Sequence, residues 1–83
     1  MPHYRQTETI ISEANCDLIV AYTFKTDQEG TIESITLESV EIVIGGQGIS
    51  LLEQMGKRAR SAIIATLRPE DTPENKIYSR NAI

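Results

Sequence analysis

Four cations, Lys57, Arg58, Arg60 and Arg68, gather in one stretch in which Glu53 is the only acid. Set opposite an apolar helical stripe, they would form a basic face able to meet phosphate oxygens or an acidic protein surface. The plainer account is a solvated face with its cations toward the negative end of the helix. Just upstream, Gly45-Gly46-Gln47-Gly48 stands where backbone amides could cradle an anion. A phosphate loop needs Gly-Lys-Ser/Thr, however, and here Gly48 is followed by Ile49-Ser50; Leu51 occupies the third-glycine place of the dinucleotide pattern. A single His3 and a single Cys16 allow no Cys/His zinc site within one chain and no nucleophile–base pair. Glu33, Glu38 and Glu41 fall on the solvent side of an alternating strand rather than facing each other across a cleft. The expectation is a protein with no catalytic residues, no cofactor and no metal, and not an enzyme.

Two short stretches resemble catalytic families. Gly45-Gly46-Gln47 is similar to the tripeptide of peptidyl-tRNA-hydrolysing release factors, but Val43-Ile44 stand where that family carries small polar residues. Met1-Pro2 resembles the start of tautomerases, whose proline amine is a general base; the polar His3 to Thr7 departs from that family's hydrophobic strand. In both cases the departure favours a plain structural role.

Charge and composition narrow the partners. The chain has 83 residues, a formal net charge of −4 and 40% hydrophobic residues, within the range of one small globular domain. Acidic residues dominate positions 1–48 and basic ones positions 49–83. The acidic balance argues against general affinity for nucleic acid or an anionic membrane. Leu18 to Ala21 and Ala62 to Ala65 are too short to cross a bilayer, and one cysteine implies no disulfide. A cytoplasmic protein is expected.

The elements that must position these residues follow from periodicity. Residues 1–15 form an N-terminal segment whose strand or helix character stays open. From Cys16 onward Leu18, Val20, Tyr22 and Phe24 alternate with Ile19, Ala21 and Thr23, which predicts a strand. Thr26 to Gly30 supplies a turn, and a β-branched run to Ile44 completes an antiparallel hairpin over 16–44. Ile35 and Leu37 differ in parity from Val40, Ile42 and Ile44, which predicts a bulge near Glu38-Ser39 in one bent strand. The glycines then break the sheet. Ser50 and Glu53 fit a capping box opening a helix over 50–67, with Leu52, Met55, Ala59, Ile63 and Leu67 as its apolar stripe. Gly56 falls mid-helix and, with Ala59 and Ala62, offers a thin side for close approach to the sheet. Pro69 ends the helix, and 69–83 is an extended or frayed tail with room for a helical turn from Pro73. The fold class is therefore α+β: a hairpin or small meander packed on one C-terminal amphipathic helix, in a single domain.

This order of strand, acidic turn, Val/Ile-rich strand, glycine loop and helix over Asp17 to Leu67 resembles small accessory proteins encoded by bacteriophages and prophages. The resemblance implies a protein–protein interaction module that binds a host or phage protein, including as an inhibitor of host defence, in the host cytoplasm. The residues themselves point to a small acidic binder with Lys57, Arg58, Arg60 and Arg68 as partner-binding candidates. The alternatives are a structural component of a phage particle and a nucleic-acid binder using the basic helix. A two-stranded hairpin is marginal alone, so an exposed edge paired in a homodimer is also expected.

Overall fold

The computed structural model describes residues 3–11, 17–72 and 74–77. Met1, Pro2 and Cys16, on which the amine, terminal and thiol readings rest, lie outside the described residues, as does Pro73. Strand β1 (His3–Ile11), β2 (Asp17–Thr26), β3 (Ile32–Ile44), β4 (Gln47–Ser50) and β5 (Lys76–Ile77) form one antiparallel sheet in the order β4-β3-β2-β1-β5. A 3₁₀ turn, Leu52–Gln54, and helix α1 (Lys57–Thr66) lie between β4 and β5 in the chain. The expected α+β class, a meander with one C-terminal helix, is the fold observed.

Alternation in β2 organises the core. Val20, Tyr22, Phe24 and Thr26 all lie on one face and are buried, with Leu18 half-buried at the end of the same row. Tyr4 of β1 stacks on Phe24 at 4.9 Å between ring centres, and Val40, Ile63 and Leu67 close the cluster. Register shows how β3 joins it. Ala21 pairs with Ser39 but Tyr22 with Leu37, so Glu38 is the extra residue of the bulge the parity change required. The bulge puts Val40 opposite Val20, Leu37 opposite Tyr22 and Ile35 opposite Phe24, all on the covered face.

The β2–β3 turn forms as its residues dictate. Asp27 Oδ1 accepts hydrogen bonds from the amides of Glu29 and Thr31, each at 2.9 Å, and Gly30 takes φ 84°.

The N-terminal segment, strand or helix by its sequence, is a strand, paired with β2 over nine consecutive residues without a slip. Further along the chain the structure corrects several expectations. The glycines do not break the sheet: Gly45 and Gly46 take φ 58° and 81°, the two successive positive values of a type I′ hairpin. Ser50 therefore ends β4 instead of opening a helix, and it makes no cap. A β-branched β3 with an open edge gains more from pairing Ile42 with Ile49 and Ile44 with Gln47 than from a longer helix. The helix begins only at Lys57, with Gly56 as its N-cap in extended geometry. Ile63 and Leu67 of the expected stripe are buried and Leu52 and Met55 half-buried, whereas Ala59 is exposed. The thin side fails as well, since Gly56, Ala59 and Ala62 all face solvent. Of the two readings of the tail, extended or frayed, the described part that reaches β1 is extended. Asn75 and Lys76 return to β1, where the Arg5 amide donates to the Asn75 carbonyl at 2.6 Å.

Two substitutions test this core and turn. Ile63→Ala, at a site only 9% exposed, should cost about 2–5 kcal/mol in denaturant unfolding. Gly46→Ala should cost about 1–2 kcal/mol although a Cβ there meets nothing within 4 Å, because the whole penalty is backbone conformation. An unchanged midpoint for Gly46→Ala would contradict the I′ turn.

Candidate interaction surface

The predicted basic face is divided by its real positions. Lys57 and Arg58 are exposed at the first turn of α1, where no acid accompanies them. They sit at the positive end of the helix, not the negative end, so they oppose the helix dipole instead of complementing it. Arg60 is a structural tie: its Nη2 donates to the Leu52 carbonyl at 2.8 Å and its Nε to the Met55 carbonyl at 3.2 Å. The guanidinium thus ties the first residue of the 3₁₀ turn to the residue that follows it. Arg68 lies past the other end of α1, exposed. The four cations thus do not form one face.

A polar cluster on the covered side of β1 was not expected. Gln6 and Glu8 alternate inward with Tyr4 and Ile10, and both are half-buried. The Glu8 carboxylate accepts from the Tyr22 hydroxyl, the Arg68 amide at 2.9 Å and Gln6 Nε2 at 3.2 Å. Gln6 Oε1 accepts from the Glu70 amide at 2.9 Å and Asn75 Nδ2 at 2.8 Å, while its Nε2 donates to the Arg68 carbonyl at 3.0 Å. The two side chains therefore clamp the segment after α1 onto β1. Each donor of this cluster has an acceptor, so the two side chains act as a fastening. The sequence signal was the polar pair at the inward parity of Tyr4 and Ile10, with β-branched Thr7, Thr9, Ile10 and Ile11 around it.

Burial, the hydrogen bond to Glu8 and the negative charges of Glu8 and Glu70 raise the Tyr22 phenol well above its ordinary value of 10.0, against a smaller opposing effect from Gln6. The folded state thus favours the neutral phenol.

A row of aliphatic side chains crosses the sheet at the opposite end from the Tyr4–Phe24 stack. Ile10 pairs with Leu18, Leu18 with Ile42 and Ile42 with Ile49, all on the face that carries α1. Ile10 and Leu18 pack against the core, but Ile49 is 47% exposed and Ile44, beside the hairpin turn, 50%. Period-two reading found the β2 and β3 members. It missed Ile49 because the glycines were read as the end of the sheet.

Comparison of this chain with protein-family models, curated proteins and solved structures gives no match. Among the described residues, no helix is long and apolar enough to cross a membrane.

The Tyr22 shift has a definite sign. Its stabilising contribution is complete below the unfolded phenol value, about pH 10, and is lost progressively as pH rises above it. Stability should therefore decline above pH 10 more steeply in the wild type than in Tyr22→Phe. That variant should itself cost about 1–2 kcal/mol at neutral pH. Urea midpoints recorded from pH 7 to 11 check both, and parallel pH profiles would contradict the clamp.

Proposed function

We propose that this protein is a small protein-binding module that docks a partner on the apolar end of its helix-bearing face. The observation that carries this reading is the aliphatic row that runs out from under the helix to Ile44 and Ile49. Exposed apolar side chains at the end of a half-buried aliphatic row are what interaction surfaces present. The hairpin turn holds them rigidly, so little ordering is needed on binding. Catalysis has no part in this reading, because the polar cluster at Glu8 is saturated by structural hydrogen bonds.

The resemblance to bacteriophage accessory proteins would make the partner a host or phage protein and the setting a bacterial cytoplasm. The comparisons add no support to that origin, so the partner is defined here by chemistry: an apolar surface patch. A basic-helix reading, by contrast, rests on Lys57 and Arg58 alone, since Arg60 is committed to carbonyls.

Ile49→Asp should separate the two. Wild-type protein, Ile49→Asp and a Lys57→Glu/Arg58→Glu variant are immobilised in parallel and challenged with cell lysate. A protein retained by wild type and by the charge-reversed form, but lost from Ile49→Asp, is the expected result. Retention lost only on charge reversal, with steep salt dependence, would move the site to the helix start and contradict the proposal. Far-UV circular dichroism should be the same for all three, because none of the three positions is buried.

A further inference from the structure

Among the described residues the sheet has four stretches of edge, and three of them are protected. The β4 edge is only four residues long and the β5 edge, which covers His3 and Tyr4 of β1, only two. The open part of β3 carries the exposed Glu33 and Glu38, with register shifts beside both, which are devices that discourage strand addition. The remaining stretch, Thr7 to Ile11 of β1, has none of them. Four of its five residues are β-branched, its pairing with β2 has no slip, and its one charge, Glu8, is turned inward to Tyr22.

Backbone direction can be assigned along this stretch. The Arg5 amide points away from β2, to Asn75. Amide directions alternate along a strand, so Thr7, Thr9 and Ile11 also present their N–H and C=O groups to the open side, while Glu8 and Ile10 bond to β2. Among the described residues no backbone hydrogen bond reaches Thr7, Thr9 or Ile11 from that side. Thr7 and Thr9 are exposed, and Ile11 is 82% exposed.

We infer that this edge pairs antiparallel with the same edge of a second copy, about a two-fold axis at Ile10. Three features select a second copy over an unrelated strand. Pairing at Ile10 satisfies parity: Thr9 exchanges both backbone hydrogen bonds with Ile11 of the other copy, and Ile11 with Thr9. Ile10 then meets its own counterpart in a non-hydrogen-bonded pair, where side chains approach most closely. The row Ile49–Ile42–Leu18–Ile10 consequently runs without interruption into its symmetry mate, on the same face of a continuous sheet. The axis also places no charge of either edge opposite an apolar residue, whereas centring on Thr9 would set Glu8 against Ile10. An edge contact this short buries less than the roughly 1,200 Å² of a standard interface, so association lies in the micromolar range or weaker. The dimer goes beyond the proposed partner site, which it would double without covering, and the two stand or fall separately.

Sedimentation equilibrium on the full chain tests it. Wild-type protein should shift with concentration from 9.2 kDa toward twice that mass. Thr9→Pro removes an edge donor without touching the β1–β2 ladder, and it should weaken association by at least about tenfold. If Thr9→Pro does not fold, Ile11→Lys at the exposed strand end serves the same purpose. Ile10→Cys in a Cys16→Ser background should form a disulfide-linked dimer under mild oxidation, which reports the axis itself. A wild-type monomer at millimolar concentration, undiminished association in the folded edge variants, or no crosslink in a folded, dimerising Ile10→Cys protein would each overturn the inference. None of these outcomes bears on the capture behaviour of Ile49→Asp.

Discussion

One helix has to cover a sheet that is much longer than the helix is wide. At about 3.3 Å per residue, the 13-residue β3 extends up to about 40 Å, whereas a helix is only about 10 Å across. Ile63 and Leu67 therefore seal only part of the inward row of β2. The half-buried Leu51, Leu52 and Met55 extend that cover from the 3₁₀ segment. The Ile44–Ile49 end stays about half exposed. The exposed aliphatic end is thus a consequence of element lengths, not an isolated surface feature.

The same constraint explains where polar groups enter the covered face. Tyr4 of β1 joins the core cluster with Ile63 and Leu67, but the inward positions at Gln6 and Glu8 meet the chain leaving the helix rather than another hydrophobic layer. Burying a carboxylate there is tolerable because three donors converge on it. In return the clamp carries the chain back far enough for Asn75 and Lys76 to pair with the start of β1. Only the far half of β1 is left with a free edge.

Sequence reasoning reached β2, the turn at Gly30 and the parity change at Glu38, because each of these is a local pattern with one physical solution. It mistook Ser50 for a helix cap, because a capping box is equally local but competes with a hairpin whose value depends on a partner strand. Two successive glycines after Ile44 were the decisive signal, since only a I′ turn asks for positive φ at both positions. β1 stayed open because its inward residues include Gln6 and Glu8, which break the apolar alternation by which strands are recognised. Their role depends on Tyr22, Arg68 and Asn75, from 14 to 69 positions away in sequence, and no periodicity reports such a contact. The four basic residues do not share one face for a related reason. Shortening the helix moved Lys57 and Arg58 to its positive end and gave Arg60 to the carbonyls before it.

The free outer edge of β1 depends on the alternating direction of its backbone, with Glu8 and Ile10 turned to β2 and Thr7, Thr9 and Ile11 turned away. Residue-resolved amide hydrogen exchange on that strand measures it directly. At low protein concentration the amides of Glu8 and Ile10 should be strongly protected while those of Thr7, Thr9 and Ile11 exchange fast. At high concentration Thr9 and Ile11 should gain protection. Uniform protection of all five amides in dilute solution, or fast exchange at Glu8 and Ile10, would contradict the account.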